Sequence, residues 1–490
     1  MLDIQKKLTN SFYGLLSLPA TAMGFALSIQ ISALSWILST KYHLNIEDVG
    51  LVWAAGPVAG ILGQVIIGIV SDKVWLWNGR RRPFIFIGGF IAALMLLALP
   101  NIDIISKALG LNGILGVAII VALTLDLAIN VSFNPTRSII ADVTPEGVER
   151  TKGYSWMQTV SGTFGVLAYV IGAIWDNYTL IYVGVILVIA LSVVPILFIQ
   201  EPREIKSNSK DDSVSENSHT GLLEILNSIQ PLWGFLIYAV YVIVIRIAHF
   251  RTNNYYIEIL CFIITLFFIS KSLLASSKGK SKNAAGLISF KKVLAAHSFT
   301  WIGIQTMFIY MFAYVQFKVF NISAGSTPTN VLQLEMGRVV SISFLILNAV
   351  GAILPAFVLE PITRKIGRTF THAICISTMA FGYFGLLLFG FTPIIIYLFM
   401  AFLGIGWAST ISLPFAIMSQ KVDQSKMGLY MGLFNLAVVL PQLVASFGVG
   451  QAVEKSSDKS LILVVSAVTL SISALLWFFV KESDDKSLAD

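Results

Sequence analysis

Charged residues and cysteines are scarce in this sequence. Only 12% of its 490 residues are charged, and two are cysteines. Cys261 and Cys375 both lie within long apolar runs, so we expect no disulfide and no cysteine-based metal site. The five histidines show no metal-ligand spacing, and there is no phosphate-binding loop or dinucleotide fingerprint. We therefore expect no catalytic site, no metal and no cofactor, and predict that the protein is not an enzyme.

Apolar residues, in contrast, are abundant and come in long runs. Hydrophobic residues make up 56% of the chain, and the mean hydropathy is +0.81. A bilayer core is crossed by about 20 apolar residues, which must form a helix to satisfy their backbone groups. We therefore predict an all-α integral membrane protein with about fourteen spans. The predicted spans are 11–38, 49–70, 84–100, 112–141, 154–175, 179–199, 232–250, 255–275, 297–319, 336–359, 370–390, 394–419, 427–450 and 461–480.

A short charged loop occurs twice, each time between two apolar runs. Loop 71–83 has a fainter copy at 360–368, in which an acid, a glycine and an arginine recur at one common offset of 288 residues. The matched pairs are Asp72 and Glu360, Gly79 and Gly367, and Arg80 and Arg368. A repeat of this size in an apolar chain is typical of secondary transporters built from two related helix bundles.

The repeat divides the chain into three regions. We assign 1–200 to an N-terminal six-helix bundle and 293–490 to a C-terminal six-helix bundle. The region between them, 201–292, contains cytoplasmic linkers and an inserted pair of transmembrane helices at about 232–250 and 255–275.

The linkers and the inserted pair carry most of the remaining charge between the bundles. Segments 200–230 and 276–292 are rich in polar residues and are predicted to be flexible. Arg246, His249 and Arg251 lie near the outer end of the inserted pair. We interpret them as interfacial anchors, the alternative being a role in substrate binding.

The distribution of Lys and Arg predicts the orientation. With the N-terminus in the cytoplasm, about 24 of the 33 basic residues fall in cytoplasmic segments, as the positive-inside rule requires. The net charge of +7 thus reflects topology, and we expect no nucleic-acid partner. No cleavable signal precedes the first span. We expect a multi-pass protein of the plasma or inner membrane, a monomer, with both termini cytoplasmic and the lipid bilayer as its surroundings.

The fourth span carries a polar stripe. Asp126, Asn130, Asn134 and Arg137 are spaced four, four and three residues apart and so share one helix face. A charged group at the depth of Asp126 costs about 2.5–3.5 kcal/mol, so this face must meet a cavity or protein partners and not lipid. The rise per residue places Asp126 and Arg137 roughly 16 Å apart along the helix, too far for an ion pair. Pro135 between them is expected to bend the helix.

Two roles are predicted for this stripe. Because a carboxyl group in a low-dielectric site holds a proton more readily than one in water, Asp126 is a candidate for proton coupling and for hydrogen bonding to a hydroxylated substrate. The alternative is a protonated acid that only ties two helices together. Arg137 is a candidate for pairing with Asp142 or for stabilising the deprotonated state; the alternative is a snorkelling arginine at a helix end.

Other polar and aromatic residues within spans are candidates for lining a substrate cavity. They are Gln30, Trp53, Gln64, Trp156, Gln158, Trp301, Gln305, Asn348, Asn435 and Gln442. Amides and tryptophans with few fixed charges suit an uncharged polyol, such as a sugar, better than an ion. The alternative for each is helix packing or interfacial anchoring.

The two charged loops are interpreted as gates. Asp72 lies near Arg80, Arg81 and Arg82 at the ends of adjacent helices, where ion pairs would hold one side closed. The alternative is positive-inside anchoring with a tight turn at Gly79. The candidate gate residues are Asp72, Gly79, Arg80, Arg81, Arg82, Asp142, Glu360, Arg364, Gly367 and Arg368.

These motifs also carry a family resemblance. The acid–Gly–Arg–Arg loop resembles the signature of the major facilitator superfamily. More narrowly, the chain is similar to the sucrose/proton symporters and their bacterial relatives, within the glycoside–pentoside–hexuronide:cation symporters. The stretches that carry the likeness are 24–27, 56–57 with Gln64, 79–85, 125–126 with Asn130, 135–142, 414–416 and 428–442.

The resemblance implies a rocker-switch symporter that couples protons to a glycoside, a disaccharide or a hexose. It assigns coupling and substrate binding to Asp126 and Arg137. The chain departs from the plant pattern in its seventh span, where Met311, Phe312 and Ala313 stand in place of acidic residues. The inserted pair also has no counterpart in the plant proteins.

Two alternatives remain. A proton-driven exporter of drugs or metabolites would have a greasy aromatic cavity and would tolerate many ligands. A non-transporting sensor would need a large soluble appendage, which neither end of this sequence offers.

Overall fold

In the computed structural model, helices are the main secondary structure of the residues that it describes. These residues are 3–61, 75–77, 79–111, 113–145, 148–202, 222–248, 254–279, 281–323, 326–422 and 427–481. They form no β-strand, and one isolated bridge joins Leu76 to Gly79. The prediction of an all-helical protein is therefore confirmed over these ranges.

Nineteen α-helices lie in these ranges, and residues 55–61 form a further helical stretch. They are α1 Asp3–Lys6, α2 Asn10–Thr40, α3 Ile46–Trp53, α4 Arg82–Ala98, α5 Ile102–Ala108, α6 Ile114–Val143, α7 Val148–Ile174, α8 Asn177–Phe198, α9 Leu222–Ser228, α10 Trp233–Ile247, α11 Tyr256–Leu274, α12 Lys282–Tyr314, α13 Asn330–Leu354, α14 Glu360–Ile366, α15 Arg368–Phe389, α16 Pro393–Ser419, α17 Met427–Val444, α18 Gly450–Lys455 and α19 Leu461–Trp477.

Eleven of the described helical segments are long and apolar enough to cross a membrane. Two shorter apolar helices, Gln230–Arg246 and Leu461–Trp477, fall below that length. The second predicted span, 49–70, is described only as far as residue 61. The total of fourteen spans therefore stays a prediction.

The polar segment 276–292 differs from its prediction as a flexible linker. Helix α12 begins at Lys282, and the Ser281 side chain accepts the backbone N–H of Ala284 as an N-cap. The lysine, alanine and leucine residues that follow are good helix formers, so the helix extends well before the apolar span begins. Part of the other linker, 200–230, is also helical, as α9.

The chain forms two compact units. Unit 1 comprises Met1–Glu216 and Ile322–Leu345, and unit 2 comprises Asn217–Asn321 and Ile346–Asp490. The inserted pair, α10 and α11, thus belongs to unit 2, whereas the first part of α13 belongs to unit 1. The three-region division predicted from the sequence stays a prediction.

Within unit 1, α2 packs on α6, α7 and α8, and α4 packs on α6 and α8. Small residues make these close approaches possible. A Cβ atom at Gly88 would lie 2.1 Å from Ser132 Oγ, and one at Gly89 would lie 2.3 Å from Ser192 Oγ. A larger side chain at either position would push α4 away from its neighbours.

The first part of α13 is held to α2 and α8 by hydrogen bonds. Trp36 Nε1 donates to the carbonyl oxygen of Gln333 at 2.8 Å, and the hydroxyls of Ser32 and Ser341 are 2.8 Å apart. Ser341 Oγ also donates to Asn177 Oδ1 at 3.1 Å. These contacts explain why Ile322–Leu345 is grouped with unit 1.

Within unit 2, α12 packs on α17 and α19, and α15 packs on α16 and α19. Three π-helical segments interrupt or end its helices, at Val315–Val319, Pro355–Leu359 and Ala445–Val449. Over the described ranges, unit 1 contains no π-helical segment. At these segments the helices depart from regular α-helical geometry. Such π-helical turns are rare in proteins, and those that occur are often found at functional sites.

Candidate functional site

Asp126 lies on α6 with its carboxyl group enclosed by protein. The side chain is 5% exposed, and Gln30 Nε2 on α2 donates to Asp126 Oδ2 at 3.0 Å. A Cβ atom at Gly56, in the helical stretch 55–61, would lie 3.4 Å from the same oxygen. The acid therefore faces α2 and residues 55–61, and lipid does not reach it.

Among the residues that the structure describes, those around Asp126 are neutral. No ion pair among the described residues involves Asp126, and its Oδ1 accepts no hydrogen bond from them. Gln30 can donate both to a carboxylate, where the hydrogen bond is stronger, and to the carbonyl oxygen of a carboxylic acid. Oδ1 therefore remains able to carry a proton or to accept a hydrogen bond from a hydroxyl group.

The rest of the polar stripe on α6 has other contacts. Asn130 Nδ2 donates to the backbone carbonyl of Asp126 at 2.8 Å. The Arg137 guanidinium lies 5.3 Å from the centroid of the Phe133 ring, and Tyr154 Oη donates to the Arg137 carbonyl at 3.2 Å. The helix of Asn134 is described, but its side chain lies outside the description.

Other candidates of unit 1 are only partly brought to this acid. Trp53 is buried, and its Nε1 donates to Ser35 Oγ on α2 at 2.8 Å, which fixes the indole ring. Gln158 is exposed on α7, and Trp156 is half-buried on the same helix. Gln64 lies outside the described residues.

In unit 2, two predicted amides meet directly. Gln442 Nε2 on α17 donates to Gln305 Oε1 on α12 at 3.1 Å. Gln305 is 4% exposed, and Gln442 and Asn435 are half-buried. The pair forms one neutral polar contact between two helices, and each amide keeps unused donors or acceptors.

A tryptophan cluster lies near this pair on α12 and α16. The rings of Trp301 and Trp407 meet edge to face with centroids 6.3 Å apart, and Phe308 meets Trp407 at 5.4 Å. Trp407 Nε1 donates to Asn348 Oδ1 at 3.2 Å. Trp407 was not predicted from the sequence, where a tryptophan in the middle of an apolar run was the only available signal.

The buried histidines have polar partners within unit 2. His297 Nε2 accepts from Trp301 Nε1 at 2.9 Å, and His372 Nδ1 is hydrogen-bonded to Ser409 Oγ. Among the residues that the structure describes, no group of three or more His, Cys, Asp or Glu is arranged to hold a metal ion.

The first charged loop forms a buried ion pair and a capped helix. Arg81 Nε donates to Asp142 Oδ2 at 3.1 Å, and both side chains are less than a tenth exposed. Asp142 thus pairs with Arg81, not with Arg137 as one prediction had it. Asp72 lies outside the described residues.

Glu201 completes this loop. Its carboxylate accepts the backbone N–H groups of Arg80, Arg81 and Arg82 at 2.7, 2.9 and 2.8 Å. These donors stand at the start of α4, where a helix favours negative charge. A Cβ atom at Gly79 would lie 2.6 Å from Glu201 Oε1, so the carboxylate needs a glycine there. Glu201 lies in the predicted linker 200–230 and was not among the candidate gate residues; the signal for it was an acid directly after a span, with three arginines in an earlier loop.

The second charged loop is arranged differently. Glu360 Oε1 accepts from Arg364 Nη2 at 2.7 Å within the single helix α14, and both side chains are more than half exposed. Gly367 ends that helix with φ of 85°, a conformation that favours glycine, and Arg368 begins α15. This ion pair therefore joins two residues one turn apart and does not bridge two elements.

Sequence comparisons relate this chain to known protein families. A family model described as Major Facilitator Superfamily matches residues 16–446. The sucrose transport protein SUC4 of Arabidopsis thaliana is 24% identical over 465 residues, covering 88% of this chain and 82% of the relative. A general alpha-glucoside permease of Schizosaccharomyces pombe is 29% identical over 174 residues, covering 32% of this chain and 31% of the permease. These matches confirm the resemblance that the motifs indicated.

Solved structures with a similar fold are also transporters. The inward-open xylose transporter XylE from E. coli has a TM-score of 0.59 at 16% identity, covering 97% of both chains. The POT family transporter PepTSo has a TM-score of 0.64 at 12% identity, covering 96% of this chain and 97% of the other. At these identities the likeness shows the fold alone. The comparisons confirm a multi-pass membrane protein and the prediction that it is not an enzyme.

Proposed function

Because the chain belongs to the Major Facilitator Superfamily, we propose that it is a secondary active transporter that moves a sugar together with protons. Transport proceeds by alternating access, in which one central site faces first one side of the membrane and then the other. The substrate is a glycoside, a disaccharide or a hexose. Sucrose and alpha-glucosides are the sugars in the names of two relatives.

The observation that carries this proposal is the buried, neutral surrounding of Asp126. An ionisable acid within a membrane helix is costly to bury and marks a functional site by default, and proton relays are one such function. Among the described residues, Gln30 is the one whose side chain hydrogen-bonds to the carboxyl group of Asp126. Because no base in the described part of the chain pairs with this acid, gain or loss of a proton changes the net charge of the site by one unit. The proton is the coupling ion, and no cofactor takes part.

Uncharged groups in unit 2 support a sugar as the substrate. The amides of Gln305 and Gln442 offer both donors and acceptors to hydroxyl groups. Trp301 and Trp407 offer aromatic faces and edges for the apolar face of a sugar ring. Asn130, Asn134, Trp53, Gln64 and Gln158 of unit 1 and Asn435 of unit 2 remain candidates for contact with substrate.

The first charged loop is the gate in this proposal. Arg81 and Asp142 form a buried pair between α4 and α6, and Glu201 holds the start of α4. Opening this side requires that these contacts separate or move together. The Arg137 guanidinium lies over Phe133 on the same helix as Asp126. Its positive charge stabilises the deprotonated state of Asp126.

The topology completes the proposal. The twelve spans of the two bundles and the inserted pair α10–α11 cross the plasma or inner membrane, and both ends of the chain are cytoplasmic. The protein acts as a monomer.

A panel of sugars in proteoliposomes tests the function. Purified protein is reconstituted with a pH indicator inside, and each sugar is added outside without a preset gradient. A transported sugar should acidify the lumen, because protons enter with it. Sugar entry without acidification would contradict proton coupling. Proton-linked movement of lipophilic drugs, but of no sugar, would favour the exporter.

A further inference from the structure

The inserted helix α10 packs along α17, and three side-chain contacts of the pair α10–α11 reach the short stretch of chain that follows α17. This stretch, 445–455, begins with the π-helical segment Ala445–Val449 and continues through α18. Gln442, which bonds Gln305, lies one turn before it. Contacts that hold the backbone of 445–455 in place therefore also affect the position of Gln442.

Two contacts from α10 reach the π-helical segment. The Arg246 guanidinium lies 5.5 Å from the centroid of the Phe447 ring, a cation–π arrangement. Tyr238 Oη lies so close to Gly448 that a Cβ atom there would be 2.9 Å from it. Arg246 is therefore more than an interfacial anchor, because its guanidinium contacts the ring of Phe447 in the π-helical segment that follows α17.

A third contact comes from the start of α11. Lys455 Nζ donates to Tyr255 Oη at 2.8 Å and lies 5.3 Å from the centroid of the same ring. Lys455 is the last residue of α18. The three contacts fall on residues 447, 448 and 455, all after the start of the π-helical segment.

On its other side, the π-helical segment is held by α12. Tyr310 Oη lies 3.1 Å from the carbonyl oxygens of both Ala445 and Ser446 and donates to them. A π-helical turn leaves carbonyl groups poorly paired within the helix, and this hydroxyl satisfies them. The segment is therefore enclosed between α12, which carries Gln305, and α10.

The inserted helices are stiffly joined to each other. A Cβ atom at Gly234 on α10 would lie 1.9 Å from Thr265 Oγ1 on α11, and Trp233 meets Phe268 with centroids 5.0 Å apart. Such close packing makes the pair one rigid body rather than two independent helices.

We infer that α10–α11 is a brace for the π-helical segment, and that Tyr238 and Arg246 are positioning residues for the Gln442–Gln305 pair. The inference rests on the proposed transport function, since it assigns to the pair a part in sugar binding. Without the brace, 445–455 opens more readily and Gln442 samples positions away from Gln305. Asp126 in unit 1 is untouched, so proton coupling is unchanged.

The test combines Tyr238→Ala with Arg246→Ala in the full chain. Amide hydrogen exchange of peptides covering 443–455 should become about tenfold faster, with α16 unchanged. In proteoliposomes, the KM for a transported sugar should rise about threefold to tenfold, while the maximal rate and the proton-to-sugar ratio stay the same.

The matched control is Tyr256→Ala with Lys271→Ala. It removes one exposed tyrosine and one lysine from the inserted pair, and Lys271 lies over Phe268 of the pair itself. The control should leave the exchange of 443–455 and the KM unchanged.

The outcomes separate the brace from the transport function. Unchanged exchange at 443–455 in the double variant would overturn the brace, whatever the transport data show. Faster exchange with an unchanged KM would overturn the positioning of Gln442. Faster exchange in a protein whose wild type moves no sugar would refute the proposed function and leave the brace standing. If the double variant does not fold, Gly448→Ala must raise the exchange of 443–455 by displacing Tyr238, or the brace is wrong.

Discussion

The two units solve the problem of polar groups in a membrane in different ways. Unit 1 buries groups that carry or can acquire charge, Asp126 beside Gln30 and Arg81 beside Asp142. The candidate site of unit 2 is built from neutral amides and indoles, such as Gln305, Gln442 and Trp407. The proposed function assigns proton handling to the acid of unit 1 and sugar binding to the neutral amides and indoles of unit 2.

Helix geometry differs in the same direction. The three π-helical segments of the described chain all lie in unit 2, and one of them follows Gln442 directly. Close approach at small residues occurs in both units, as at Gly88 against Ser132 in unit 1 and at Gly234 against Thr265 in unit 2. The comparison teaches that the described helices of unit 1 are the more regular, whereas those of unit 2 depart from regular α-helical geometry at three places, one of them next to Gln442.

The largest expected effect concerns the acid of unit 1. Asp126→Asn should abolish sugar accumulation driven by a proton gradient, while exchange of labelled sugar across the membrane continues, because asparagine cannot release a proton. Accumulation and exchange are measured in the same proteoliposomes. The control Asp103→Asn makes the same change near the end of α4, where the carboxyl is partly exposed and pairs with Lys41 at 3.6 Å. Accumulation by Asp126→Asn would refute the division between the units.

The next effect contrasts the two ion pairs. Arg81→Ala leaves Asp142 buried without its partner and should destabilise the protein by about 3–5 kcal/mol. Arg364→Ala breaks the exposed pair of unit 2 and should change stability by at most about 0.5 kcal/mol. Thermal melting in detergent measures both, and the maximal transport rate should fall in Arg81→Ala alone. Equal melting of the two variants, or an unchanged rate in Arg81→Ala, would contradict the gate.

A smaller effect is expected at the amide pair of unit 2. Gln442→Leu removes the donor to Gln305 Oε1, and the loss of a buried hydrogen-bond partner should raise the KM for sugar about tenfold. The proton-to-sugar ratio should not change, because Asp126 is intact. The double variant Gln305→Leu with Gln442→Leu checks folding, since an apolar pair leaves no amide unsatisfied. A changed ratio in Gln442→Leu would show that unit 2 also handles protons.

The smallest effect concerns an exposed aspartate of unit 2, as the counterpart of Asp126. The backbone N–H of Ser460 and the Lys318 ammonium lower the pKa of the Asp458 carboxyl from its usual value. A carboxyl group whose pKa is lower in the folded state stabilises the protein at pH values above its pKa in the unfolded chain, about 3.9. This stabilisation is lost as the pH falls through the pKa of the folded state. Asp458→Asn should therefore lower stability slightly at pH 7, by at most about 0.5 kcal/mol, because the pair is exposed. Melting curves at pH 7 and pH 3 check this, and a difference that grows at pH 3 would reverse the sign.

Several parts of the site were predictable because they depend on spacing along one helix. Asp126, Asn130 and Arg137 do lie on the single helix α6, since residues three or four apart share a helix face. Glu201 and Trp407 were missed, because their importance depends on residues far away along the chain. Glu201 bonds a loop about 120 residues before it, and Trp407 bonds Asn348, 59 residues before it.

Secondary structure was predicted more accurately for the apolar segments that cross the membrane than for the polar segments between them. Apolar runs predicted the long helices, because lipid leaves the backbone no other way to pair its polar groups. The polar segment from Lys282 to Lys292 was predicted to be flexible and is helical, because its helix is continued by the span that follows. Polar composition alone does not separate a linker from the solvated end of a long helix.

Membrane embedding, helical structure and the polar stripe of α6 follow from composition and local periodicity, which act over a few residues. Which groups meet was decided by packing between distant segments: Gln30 with Asp126, Gln442 with Gln305, and Asp142 with Arg81 rather than with Arg137. Each of these contacts depends on how two helices are placed and rotated against each other. That placement follows from small residues, capped helix ends and π-helical turns acting together, and no single stretch of sequence contains it.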